Sequence, residues 1–348
     1  MERLNKRAAI VLASVSLLAA CGNSSTTSSS GSGGSGPPDK VRLMVGGLAK
    51  QIYLPNMLAQ RLGYFKEQNL DVTLIDEASG QSSEQQVLSG NVEGGSGSYN
   101  HTQELQPKGK FMETVVQLQI APGEAEVVAT NKAGQITSAA DLKGRNLGVT
   151  ERGSGTETLT TAILGRQGIA TDQVHFIPVG AGSTFIAGMQ QGKIDAGMTT
   201  EPTISQVVGT GLGKVLVDLR TPETTRAALG GDYPFISVFM STDYVNSHKD
   251  LVQRLVNAYV KTLKYIASHT AAQITDQMPA DYFASGKDAY VTALANQKSS
   301  FSTDGRMPAS GPQVVNDIET KYVPSMKGTT IDLSKTFTNE FADKANGG

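Results

Sequence analysis

Tryptophan is absent from the 348 residues, cysteine occurs once and histidine four times. One thiol excludes an intramolecular disulfide framework and a thiolate metal cluster. His101, His175, His248 and His269 fall at none of the H-x-H or H-x-x-x-H spacings that bring two imidazoles to one ion, so neither a metal nor a cofactor is expected. Blocks of basic residues are missing too: 30 Lys and Arg are spread among 32 Asp and Glu, for a net charge of -2. Nucleic acid is therefore not an expected partner.

The single cysteine, Cys21, stands at a junction. Arg3, Lys6 and Arg7 precede the apolar run Ala8 to Ala20, which has the length of a signal-peptide core and falls short of the ~20 residues that span a bilayer. Residues 1–20 are expected to be an export leader. Gly22 to Pro38 is almost wholly Ser, Thr, Gly, Asn and Pro, with no apolar surface to offset ordering entropy, and reads as a flexible tether. Its GSGGSG (Gly31 to Gly36) fits G-x-G-x-x-G, but no strand precedes it and no helix follows, so it carries no nucleotide-binding meaning. Leu18-Ala19-Ala20-Cys21 resembles the lipobox of bacterial lipoproteins. That resemblance implies lipidation of Cys21 and anchorage to the outer face of the cytoplasmic membrane or facing the periplasm. Several acyl chains hold a protein stably where one holds it marginally.

About 310 residues follow the tether, more than one hydrophobic core usually serves, so two lobes are expected. VRLMVGG (Val41 to Gly47) is an apolar strand ending in glycines, and the residues after it recur at helical spacing through Leu54, Leu58, Leu62 and Phe65. The order of strand, small-residue loop and helix returns at LDVTLID (Leu70 to Asp76), where Ser82 with Gln85 or Ser83 with Gln86 forms a capping box, and again at VEGGSGSYN. A second series runs from Asn146 through VHFIPV and IDAGMTT to KVLVDL. Such repetition predicts an α/β fold with mostly parallel sheets.

LGYFKEQNLDVTLI, SAADLKGRNLGV, GKIDAGMTTEP and VNAYVKTLKYI resemble, in that order, segments of the nitrate, sulfonate and taurine solute-binding proteins of ABC importers. The resemblance implies a two-lobed periplasmic-binding-protein-like fold of type II. Lobe 1 would be discontinuous, 39–130 plus 235–348, and lobe 2 would span 131–234. Crossings are expected near Ala129 to Lys132 and near Arg220 to Pro234. It also implies a ligand between the lobes, a permease and an ATPase as partners, and a monomer.

Strand-end loops of open α/β sheets face the crevice that binds ligands, and a helix N-terminus there offers unpaired N–H groups to an anion. Gly80, Gln81, Ser98 and Asn100 lie in such loops. So do Ser154, Gly155 and Thr156, although Ser154 and Glu157 also form an S-x-x-E capping box and Ser154 equally serves as a cap alone. Lys50 and Gln51 either reach the crevice or, as a lone lysine usually does, face solvent. Tyr53, Tyr99 and Tyr233 either stack on a planar ligand or pack structurally. Arg152 is a bidentate anion contact or a surface charge beside Glu151. Thr200-Glu201-Pro202 departs from the resembled family, where an aromatic residue commonly precedes this segment; Thr200 and Glu201 stay as polar candidates. A small anion, sulfonate, carboxylate or nitrate-like, is the expected ligand.

The same fold resembles fungal thiamine-pyrimidine synthases and menaquinone-pathway lyases, which keeps an enzyme as the alternative. GGSGS (Gly94 to Ser98) lacks the G-x-S-x-G frame and no serine shows a His and Asp partner in the sequence, so a binding protein without catalysis is expected. A receptor that reports to a membrane kinase would use the same crevice.

Overall fold

In the computed structural model, which describes residues 36–283 and 286–348, the apolar runs gather into two five-stranded sheets. The expected leader, Cys21 and the tether up to residue 35 lie outside the described residues. The first sheet has the order β2-β1-β3-β10-β4, from Asp39–Val45 (β1), Leu70–Asp76 (β2), Gly94–Ser98 (β3), Met112–Gln117 (β4) and Ile236–Ser241 (β10). The second has the order β7-β6-β8-β5-β9, from Glu124–Ala129 (β5), Asn146–Val149 (β6), His175–Pro178 (β7), Ala196–Thr200 (β8) and Gly213–Leu219 (β9).

Direction within the sheets follows from the chain path. β1, β2 and β3 are parallel, as are β6, β7 and β8. In each sheet one strand runs against both of its neighbours: β10 against β3 and β4, and β5 against β8 and β9. These are the strands that arrive from the other sheet. A chain that leaves one sheet at its strand C-terminal edge and enters the facing edge of the other must run the opposite way, so β5 and β10 both begin at the crevice.

The first crossing is earlier than the sequence suggests. Glu124–Ala129 was expected to close the first lobe, yet it pairs inside the second sheet, so the chain crosses at 118–123 and the span 129–132 follows β5 instead. The run AEVVA is apolar enough for either sheet, and only pairing with β8 and β9 decides between them. The return crossing lies in 220–235, within the expected region. The crossings touch: Leu118 and Gln119 both donate N–H to the Ile236 carbonyl at 2.9 Å, and Phe235 N–H donates to Gln119 O at 3.0 Å.

β3, the sequence GGSGS, has almost no side chains and is buried throughout. Its use is close approach. A Cβ on Gly97 would stand 2.9 Å from Gly80 Cα, so the helix Gly80–Leu88 rests backbone to backbone on the strand, while Phe239 of β10 fills the space over Gly95. The N-cap of that helix is Ser79, whose Oγ accepts from Ser82 N–H, and not either capping box read from the sequence. The spacing of Leu251, Leu255, Tyr259, Leu263 and Ile266 predicts one buried stripe with Ser247 as N-cap; the helix Lys249–Ser268 buries the last four, leaves Leu251 half-buried and has His248 at its N-cap.

Candidate functional site

Between the strand ends of the two sheets lies a narrow crevice. From the first sheet it is lined by Lys50, Tyr53, Ser79, Gly80, Ser98 and Phe235, and from the second by Glu124, Thr150 and Ser154 to Thr156. Its volume is ≈ 20 Å³, room for about one water molecule. A wider groove of ≈ 850 Å³ beside it carries Gln81, Glu104, Lys108, Arg152 and Gly153.

Lys50 folds into the crevice wall, its Nζ donating to Gly46 O at 2.6 Å and to Ala78 O at 2.8 Å. Burial lowers its pKa to about 8, opposed by the negative charges of Glu124, Asp76 and Glu151. Glu124, 3% exposed, has an Oε2 with no hydrogen-bond partner among the described residues. Burial lifts its carboxyl to about 8, Lys50 pulling it down and Glu126 pushing it further up. At neutral pH the pair is thus mostly an ammonium beside a neutral carboxylic acid, which can itself donate a hydrogen bond.

Two helix N-termini that the sequence offered to a ligand are filled by the chain itself. Ser79 Oγ donates to the Glu151 carboxylate of the facing sheet, and Ser82 Oγ donates to the same oxygen at 2.9 Å. Glu201 accepts from Ser205 N–H at 2.9 Å and pairs with Arg220 at 3.0 Å, so its side chain serves the helix Thr203–Gly209 rather than the crevice. At the helix Gly155–Arg166, Ser154 makes no side-chain cap. Its Oγ donates to Glu151 O at 2.6 Å, and Thr156 Oγ1 accepts from Thr150 N–H at 2.9 Å. Glu157 turns outward to Arg152 and accepts from Gly153 N–H at 2.7 Å. Gly155 and Thr156, which open this helix, line the crevice, and amides at a helix start have no partner four residues back.

Several predicted residues stand elsewhere. Gln51 is fully buried and joins Tyr290 O and Gln297 Nε2. Tyr99 points into the core, its hydroxyl bonded to Thr336 Oγ1 at 2.6 Å. Asn100 donates to Glu104 Oε1 at 2.9 Å. Arg152 is exposed and paired with Glu157. Gln81 lines the outer groove. Thr200 and Tyr233 are buried outside the crevice lining, Tyr233 beside Phe235 with ring centroids 6.3 Å apart. Of these only Thr200 lies on a strand; the others stand in helices, turns and loops, where tertiary packing decides side-chain direction.

Glu124 and Phe235 were missed. Both stand where a crossing strand begins, so the signal was the crossing itself, expected at 129–132 and found at 118–123 in the first case. Also missed was His101. Ser98 Oγ lies 3.0 Å from His101 Nε2, and His101 Nδ1 lies 3.4 Å from Glu84 Oε2 and 3.7 Å from Glu104 Oε2. A serine with a histidine partner and a carboxylate behind it therefore exists, against the expectation from sequence. The three outer groups also form a cluster whose ligand atoms all fall within 4.8 Å of one another.

Residues 52–272 match the NMT1/THI5-like family. No curated protein matches the chain. Among solved structures, one from Bordetella bronchiseptica RB50 is 32% identical, with 89% of this chain and 98% of that chain covered and a TM-score of 0.85. The alkanesulfonate-binding protein SsuA from Xanthomonas axonopodis pv. citri, bound to MOPS, is 14% identical over 87% of this chain and 99% of that chain, with a TM-score of 0.68. The periplasmic nitrate-binding protein NrtA from Synechocystis PCC 6803 is 14% identical over 89% of each chain, with a TM-score of 0.71. The last two establish a shared fold.

Proposed function

The chain belongs to the NMT1/THI5-like family, and from that premise we propose that it is the extracytoplasmic solute-binding lipoprotein of an ABC importer. On this reading it is exported and held to the membrane through Cys21. It captures a small organic anion of the sulfonate, carboxylate or nitrate-like kind between its two halves, and delivers it as a monomer to a permease coupled to an ATPase. The observation that carries the reading is the crevice lining: the Lys50 ammonium, the neutral Glu124 acid and the first turn of Gly155–Arg166 all present donors to one small space. An anion would accept from each. The SsuA and NrtA likenesses support the same class of ligand.

A thermal-shift screen against alkanesulfonates, aromatic carboxylates, nitrate and bicarbonate tests this. A true ligand at 100 times its Kd stabilises the native state by ~2.7 kcal/mol. If cationic or neutral compounds alone stabilise the protein, the anion reading is wrong.

A second reading, a hydrolase, rests on the contact of Ser98 Oγ with His101 Nε2. Assay of wild type and Ser98→Ala with small activated esters separates the two. A receptor shows no turnover in either, whereas a hydrolase loses its turnover in the variant.

A further inference from the structure

We propose that Glu84, His101 and Glu104 form a site for one divalent transition-metal ion, Zn²⁺ in class, behind the ligand crevice. Tetrahedral ligand atoms bonded at ~2.0–2.1 Å stand ~3.3 Å apart. His101 Nδ1 is 3.4 Å from Glu84 Oε2 and 3.7 Å from Glu104 Oε2, so the three atoms surround a space that a zinc-sized ion fits after small adjustments. His101 and Glu104 come from one turn of the helix Asn100–Glu104 at i and i+3, and Glu84 comes from the helix Gly80–Leu88. Two carboxylates and one imidazole suit Zn²⁺ or Mn²⁺ better than the thiolate-seeking ions.

The independent observation is the histidine itself. His101 is 0% exposed, and its Nδ1 lies within ion-pair distance of both carboxylates but has no hydrogen-bond partner of proper geometry among the described residues. Its other nitrogen is held by Ser98 Oγ at 3.0 Å. Metal-ligating histidines have this arrangement: one ring nitrogen faces the ion and the other donates to a fixed acceptor. Glu104 is oriented in the same way, since Asn100 Nδ2 donates to Oε1 at 2.9 Å and leaves Oε2 toward the imidazole. A third carboxyl, Glu319, is buried beside Glu104. Glu104 and Lys108 line the ≈ 850 Å³ groove, which gives an ion a path from solvent.

The test uses the full-length protein in detergent, stripped with a chelator and titrated with ZnCl₂ by calorimetry, with Co²⁺ as the spectroscopic probe. One ion per chain is expected, with Co²⁺ giving the visible absorption of a low-coordinate nitrogen and oxygen site. His101→Asn, Glu84→Gln and Glu104→Gln should each weaken Zn²⁺ binding roughly tenfold or more. Replacing the exposed His175 and His248 by Gln should leave it unchanged. Should His101→Asn fail to fold, the two carboxamide variants and the wild-type Co²⁺ spectrum still decide. Binding of far less than one ion per chain at tenfold excess overturns the proposal, as does binding lost with His175 and His248 but kept in Glu84→Gln and Glu104→Gln.

Discussion

At Gly155 a single hydrogen atom sets how closely the two halves approach. A Cβ there would stand 2.7 Å from Ser98 Oγ and 2.6 Å from Phe235 Cζ, both across the crevice. Gly155→Val should therefore cost ligand affinity roughly tenfold or more, read by calorimetry on protein whose unliganded melting temperature is unchanged. Lys50→Ala removes the one ammonium of the lining and should weaken anion binding by a similar factor. The pH dependence has a definite sign. Below about 8 both Lys50 and Glu124 keep their protons, and above it the pair sheds them, so its net charge falls. Anion affinity should drop ~tenfold between pH 7 and pH 9, and a flat profile would remove this pair from the site. Lys50, Gly80 and Gly155 were legible because a strand end and the helix after it are neighbours in sequence. Glu124 was not, because a crossing carries it to the crevice, and the meaning of His101 depended on Glu84, a residue from another helix.

At the scale of one element, β5 carries two buried glutamates, Glu124 and Glu126, on a strand with no exposed residue. Thr160 Oγ1 donates to Glu126 Oε2 at 2.8 Å, but burial dominates and lifts its carboxyl to about 8. The unfolded chain ionises near ~4.3, so between there and pH 8 the native state holds more protons than the unfolded one. Stability contributed by this group is present at low pH and is lost as pH rises, at up to ~1.4 kcal/mol per pH unit. Glu126→Gln keeps an acceptor for Thr160 and cannot ionise. It should raise stability at pH 8 by at least ~1 kcal/mol and change little at pH 4, measured by urea unfolding at both values. The alternation of strand and helix was readable along most of the chain. The sheet to which β5 belongs was not, since a six-residue strand with four apolar residues satisfies either partner and only the completed pairing distinguishes them.

At the scale of the whole molecule, the facing halves are latched by Ser79 and Ser82 on Glu151 and by Gln51 N–H on Glu201 O at 3.0 Å. Glu151→Ala removes the first latch, and small-angle scattering of the unliganded variant should give a larger radius of gyration than wild type. An unchanged radius would mean that other contacts hold the closure. Anchorage is tested by Cys21→Ser, which should block acyl labelling and shift the protein out of the membrane fraction. The chain path has a further meaning for descent and engineering. Glu124 and Leu219, the first and last strand residues of the second sheet, are register partners, and Gly123 N–H donates to Leu219 O at 3.0 Å. Its two ends therefore meet, and the flanking crossings meet as well. Segment 124–219 is a cassette with both seams at one place, so recombination at two adjacent points can exchange half of the crevice lining between relatives while the other half is inherited intact.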